Sequence, residues 1–210
     1  MRRMKFIKYY SQEIYTVITL LLVTGSAIFI TLDFTQKVML VYILLFLLHE
    51  WEEGVYPGGF VDMMMGEIIN VGHLSTEQQQ RESRIYIDIL LLILTFVPFF
   101  AHTHFWLALP CVYLGFLEGF VHTASMKIFK MNRSYTPGMV TALCQFAFST
   151  VMLVIIIKNH MVEPWQYIAA FIALVVLFVC AQSQVAATNG LEYRKMPKMI
   201  RANIKAVRNK

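Results

Sequence analysis

Charge is what this 210-residue sequence has least of: Asp, Glu, Lys and Arg together make up 15% of it, against about 25% in a typical soluble domain. Apolar residues reach 58%, above the roughly 45–50% of soluble proteins, and the mean hydropathy is +0.58. A chain this apolar cannot cover itself with polar surface, which excludes a soluble globular domain as well as a disordered segment. Cysteine is scarce too. Cys111, Cys144 and Cys180 are odd in number, far apart and inside apolar runs, which excludes a disulfide framework and a thiolate zinc site. There is no internal repeat and no low-complexity linker. The sequence reads as an integral membrane protein.

A transmembrane helix needs about 20 mostly apolar residues. On that basis the first span runs from about Ile14 to Leu32, and the second begins at Val38, just after Lys37. The others cover about Ile85–Ala101, Phe105–Thr123, Met139–Ile157 and Trp165–Ala187. The basic N-terminal flank resembles the start of a signal peptide, but no small-x-small cleavage site follows, so the first stretch is kept as a span. The expected fold is all-α, a polytopic membrane helix bundle of about six transmembrane helices.

Lys and Arg give the orientation. With both termini cytoplasmic, sixteen of the eighteen fall inside: Arg2, Arg3, Lys5 and Lys8, then Arg81 and Arg84, then Lys127, Lys130 and Arg133, and the seven of the tail. Only Lys37 and Lys158 fall outside. The net charge of +5 is therefore a topology signal and implies no nucleic-acid partner. The expected location is a bacterial plasma membrane. Residues 1–190 form one membrane domain and 191–210 a basic cytoplasmic tail, which could also lie on anionic lipid. Residues 57–74 read as an interfacial or re-entrant segment. Phe60, Met64 and Ile68 recur at helical spacing there, but the stretch is too short and too acidic to cross.

The second span raises the chemical question. From Val38 to Leu48 there are only eleven residues, so the helix must continue through His49-Glu-Trp-Glu-Glu53 to reach the inner face. A carboxylate within the leaflet costs a few kcal/mol and needs a partner or a watery cavity. On a helix His49 shares a face with Glu52 and Glu53, and Trp51 fits an interfacial anchor. The fourth span repeats the pattern, with Glu118 and His122 four residues apart. His49 lies ~18 Å beyond Lys37 and Glu118 ~20 Å beyond Phe105 at 1.5 Å per residue. Two His/Glu faces thus fall at one depth, near the cytoplasmic side.

Imidazole and carboxylate groups on facing helices can make a metal site in a bundle core. The expected ligands are His49, Glu52, Glu53, Glu118 and His122, with Glu67 and His73 from the connecting segment. Two irons would use four carboxylates and two histidines, and the carboxylate-rich set leans that way. A single zinc would use two histidines and a carboxylate, with a spare glutamate as base. Glu52 would be a second-metal ligand or the general base. The structural alternative is a set of His–Glu ion pairs that neutralise themselves. Asp88, on the inner side of the third span, could orient a bound histidine or pair with Arg84.

His49-Glu-Trp-Glu-Glu53 has the form H-x-x-E-E, and Tyr135-Thr-Pro-Gly138 has the form Y-x-P-G. Together with a further histidine, His122 or alternatively His73, they resemble the HXXEE family of bacterial membrane proteins over most of the chain. The resemblance implies membrane location and the importance of these residues; the family has no established activity. Read physically, Tyr135-Thr-Pro-Gly138 opens the fifth span, with Gly138 allowing close backbone approach. The Tyr135 hydroxyl could reach the site as a catalytic group, or serve as an interfacial anchor. The first expectation is a membrane metalloenzyme acting on a lipid or lipid-soluble substrate. It would be a zinc hydrolase or an iron enzyme of the hydroxylase or desaturase kind. The alternatives are a transporter or metal/proton carrier, for which Pro98 and Pro110 could break helices, and a non-enzymatic accessory or immunity protein.

Overall fold

The computed structural model describes residues 2–29 and 31–209, with the backbone alone at Arg2 and Arg3. Met1, Ile30, Lys210 and the side chains of Arg2 and Arg3, which enter the first span and the charge count above, lie outside the described residues. Helix α1 (Arg2–Tyr9) leads to α2 (Ser11–Phe29) and α3 (Phe34–Gly54). A short α4 (Phe60–Met63) continues as a π-helical turn over Met64–Ile69 and precedes α5 (Glu77–Phe100). A 3₁₀ turn over Phe105–Ala108 opens α6 (Leu109–Ile128), followed by α7 (Met139–Lys158) and α8 (Pro164–Thr188). A second such turn, Tyr193–Lys195, leads to α9 (Met196–Arg208). Among the described residues there is no strand, and six helices of 19 to 25 residues are long and apolar enough to cross a membrane.

Two of these helices start before their apolar runs do. At α3 the Gln36 N–H donates to Asp33 Oδ1 at 2.8 Å and the Asp33 N–H to Gln36 Oε1 at 3.2 Å. This capping box satisfies two backbone donors that would otherwise be orphaned, and the helix begins four residues ahead of Val38. Thr76 and Gln79 do the same at α5 and add two polar turns ahead of Ile85. Neither proline breaks its helix. Pro98 lies inside α5, and Pro110 occupies the first turn of α6, where its missing N–H is not needed.

Helix α3 packs on α5 and α7, α7 on α6, α6 on α8, and α8 on α5, so five spans close a ring. Helix α2 rests outside it against α3 and α5. The Trp51 indole N–H donates to Thr16 Oγ1 at 2.9 Å and ties α3 to α2. Tyr42, Phe46, Leu109 and Val112 fill the ring's interior and are fully buried. Only 11% of the apolar window of α8 is buried, and Phe171, Ile172 and Val176 point outwards, where acyl chains would cover them.

The closest helix contact is between α6 and α7, and two glycines one turn apart produce it. A Cβ on Gly115 would come within 3.0 Å of the Gln145 carbonyl oxygen, and one on Gly119 within 2.7 Å of Phe146 Cβ. This is the small-xxx-small packing of membrane helices, where van der Waals contact replaces the missing hydrophobic drive. It also brings the Glu118–His122 turn of α6 beside the start of α7. The segment from α4 to Ile69 gathers at the same end of the bundle, below the ends of α3 and α6. Its ten residues rise at most about 15 Å, too little to cross, and the Asn203 amide of α9 donates to the Glu67 and Ile68 carbonyls at 2.7 and 3.0 Å.

Gly119→Leu is expected to lower stability by about 1–3 kcal/mol through overpacking, read as a lower melting temperature in detergent. Gly25→Leu, where a Cβ meets nothing within 4 Å, should leave the melting temperature nearly unchanged.

Candidate metal centre

The site is built on two single helical turns. Helix α3 presents His49 and Glu53 on one face, α6 presents Glu118 and His122, and the start of α7 lies between them. The Nε2 atom of His49 stands 3.4 Å from Glu53 Oε1 and 3.6 Å from Glu118 Oε2. The Nε2 atom of His122 stands 3.0 Å from Glu53 Oε1 and 3.7 Å from Glu118 Oε2. Each residue offers one ligand atom, and all four atoms lie within 4.8 Å of one another. A tetrahedron around a metal with bonds of about 2.0–2.1 Å has edges of about 3.3–3.4 Å, which is the middle of this range. His49 and His122 are 4% and 0% exposed.

The two imidazoles are also oriented for ligation. Thr136 donates its hydroxyl proton to the His122 carbonyl at 3.3 Å, so its oxygen accepts from His122 Nδ1–H at 3.1 Å. Thr141 donates to Glu52 Oε2 at 2.5 Å, so it accepts from His49 Nδ1–H at 2.9 Å. With the proton on Nδ1, each Nε2 carries a lone pair. Both Nε2 atoms are buried and make no aligned hydrogen bond, although carboxylate oxygens are close by. Each Nε2 lies within 3.7 Å of an oxygen of both carboxylates. Buried polar groups are nearly always satisfied, and one divalent cation would satisfy all four at once.

The other expected residues lie outside this group. Glu52 accepts from Tyr135 Oη at 2.6 Å, from Val140 N–H at 3.1 Å, and from the Thr141 N–H at 2.9 Å. It is the side-chain cap of α7, whose own N-cap residue, Gly138, has none, and it engages the exposed donors at the helix's positive end. Tyr135 thereby touches Glu52 and not the four-atom group. Glu67 pairs with Arg133, and His73 lies beside Gly190. Asp88 is buried but hydrogen-bonded neither to a ligand imidazole nor to Arg84. Arg84 instead donates to Gln12 Oε1 and to the Gly54 carbonyl at the end of α3.

Gly138 closes one side of the group. Its φ of +89 is in the left-handed region, and a Cβ there would fall 2.6 Å from Glu53 Cγ, 2.8 Å from His122 Cε1 and 2.9 Å from His49 Cε1. The Phe60 ring lies 5.1 Å from the His122 ring. On the open side a cavity of about 380 Å³ touches His49, Glu53 and Glu118 and is otherwise mostly apolar, with walls from α3, α5, α6 and α8. Sequence reasoning missed Thr136, Thr141 and Phe60. The available signal was chemical: a ligating imidazole needs an acceptor for its other N–H, and Thr136 stands inside the Y-x-P-G motif.

A family model described as "Protein of unknown function with HXXEE motif" matches residues 40–153. That stretch contains the four converging residues, both threonines, Glu52 and Gly138. No curated protein and no solved structure matches the chain.

Gly138→Ala is expected to push Glu53 and both rings apart and to weaken binding of a divalent cation at least about tenfold, measured by metal titration of the detergent-purified protein. Tyr135 gives a pH prediction. Burial and the hydrogen bond to Glu52 push its phenol up to about 12, above its ordinary value near 10. Its stabilising contribution is complete below about pH 10 and is lost as the pH rises towards about 12. Melting curves across that window should show this loss in the native protein, and Tyr135→Phe should remove that part of the pH dependence.

Proposed function

Because the chain belongs to the HXXEE family of proteins of unknown function, we propose its activity from the site itself: a membrane metalloenzyme acting on a lipid or lipid-soluble substrate. The observation that carries this reading is the pair of buried, unpartnered Nε2 atoms, convergent with Glu53 and Glu118 at the end of an apolar cavity. His49, His122, Glu53 and Glu118 hold one ion. The two imidazoles beside two carboxylates, within reach of one ion, favour zinc. The placement of Glu52 and Glu67 leaves too few carboxylates for a di-iron set. Bound there, zinc supplies Lewis acidity and a water acidified to a pKa near 7, so the reaction class is hydrolysis.

The remaining work falls to the chain's own groups. Glu118 Oε2 is the more distant carboxylate from both imidazoles, at 3.6 and 3.7 Å, and it borders the cavity. It would therefore be the outer carboxylate, placed to take up the proton of the attacking water as general base. Glu53 stays as the inner carboxylate. The apolar walls hold the acyl or prenyl part of the substrate and exclude bulk water. Thr136 and Thr141 keep the imidazoles in the ligating tautomer, and Glu52 is a positioning residue acting through Thr141. Both ligand pairs sit on continuous helical turns of α3 and α6, which supports an enzyme over a carrier, because transporters commonly bind at discontinuous helices.

The test is metal stoichiometry by mass spectrometry on protein purified in mild detergent without a metal-affinity column. The expected result is about one ion per chain, absent in His49→Ala and His122→Ala and retained in Glu67→Gln and His73→Ala. Glu118→Gln should keep most of the ion and lose hydrolysis of lipid esters. No metal in the native protein, even after loading with zinc or iron, would sink the proposal.

A further inference from the structure

Helix α9 has two unlike sides. Arg194, Lys198, Arg201 and Lys205 recur at steps of four, three and four residues, which aligns them on one side of the helix and its leading turn. All four are exposed, and they bound a shallow surface cleft. The opposite side faces the protein: Met196 and Ile200 form part of the wall of the cavity next to the candidate metal centre, and the buried Asn203 pins the helix to the Glu67 and Ile68 carbonyls. No acidic residue follows Glu192 in the sequence, and Glu192 is engaged by Lys195 at 2.6 Å. Nothing on the helix neutralises its row of cations.

The position of α9 says what does. It is fastened to the segment between α3 and α5, at the bundle end where α3 and α6 finish and α5 and α7 begin. That end marks one boundary of the bilayer. Long cationic side chains at such a boundary extend to the lipid phosphates while their stems stay against apolar surface. We propose that the basic side of α9 is a docking surface for anionic phospholipid headgroups, and that this contact holds the α9 wall of the cavity in place. The inference does not depend on the metal-centre reading. It needs only the cationic row, the boundary position and the cavity contact.

The test is hydrogen–deuterium exchange of residues 196–208 in the full-length protein reconstituted in nanodiscs. Discs of phosphatidylcholine alone are compared with discs containing phosphatidylglycerol. The expected result is about tenfold slower exchange in the anionic discs, returning to the neutral-disc rate at 0.5 M salt, where the Debye length shrinks to about 4 Å. The combined variant Arg194→Gln, Lys198→Gln, Arg201→Gln, Lys205→Gln should exchange at the neutral-disc rate in both discs. Equal rates for the native protein in the two discs would overturn the proposal, as would slowing that survives high salt. Inorganic phosphate added to neutral discs serves as the remaining control: if it reproduced the slowing, the surface would be a site for a soluble anion and not for the membrane. Because salt acts on the native protein, the test stands even where the fourfold variant does not fold.

Discussion

The carboxylate of Glu52 fastens the bundle at the end that carries the site. It comes from α3, yet it caps the first turn of α7 with both oxygens, meeting Val140 N–H, Thr141 N–H, the Thr141 hydroxyl and Tyr135 Oη. A helix start leaves N–H groups without partners inside the helix, and Gly138 has no side chain to offer them. Once Glu52 supplies the acceptor, α7 is fixed against α3. Thr141 is then held with its proton on Glu52 and its lone pair towards His49. The tautomer of a candidate ligand thus follows from a capping interaction between α3 and α7. The glycine that cannot cap is also the residue whose missing Cβ leaves space for Glu53 and the two rings, so both properties of Gly138 serve one arrangement.

Electrostatics at the four-atom group argue in the same direction. Two neutral imidazoles and two ionised carboxylates carry two negative charges, and a divalent cation cancels them. Without a cation, carboxylates that each lie within 3.7 Å of the same two Nε2 atoms would have to share protons, and a purely structural role would predict aligned N–H···O bonds between them. Neither Nε2 makes an aligned bond of that kind, and each Nδ1 faces a threonine hydroxyl on the other side of its ring. An ion pair designed only to neutralise itself would point its donors at its acceptors.

Much of this was legible in the sequence, and the limits are physical. Helix-forming apolar runs gave six spans, and the equal depth of His49 and Glu118 followed from a constant rise per residue. The family resemblance rested on His49, Glu53 and the Tyr135–Gly138 motif, which the fold brings to one place. Span starts were read late at α3 and α5 because capping boxes use polar residues that hydropathy counts against a helix. Glu52 shares the helical face of His49, so spacing alone could not separate a ligand from a cap; the distinction depends on where α7 begins. Glu67 lies in a π-helical turn and His73 in the coil after it, where α-helical spacing does not say which way a side chain points. Thr141 carried no motif, and its role exists only because α7 packs between α3 and α6.

The ring of five spans explains why a polar site and an apolar cavity can adjoin in one small bundle. Helices α5 and α6 scarcely touch; each meets α8 instead, and the space between them is the cavity. The glycine pair that draws α6 onto α7 also draws it away from α5, so close packing on one side of α6 leaves room on the other. The ligand turns of α3 and α6 lie at the polar end of that space, where α4, the π-helical turn and α9 cover it with methionine and isoleucine side chains. Under the proposed function, an occupant would be apolar along most of its length and would present its reactive group at the end where Glu118 stands. A molecule that lives in the bilayer meets both conditions, whereas a water-soluble one would have to leave its hydration shell along the whole apolar wall. Under the proposed function, the gap between α5 and α6 would select the class of substrate, and the turn at Glu118 would select where it reacts.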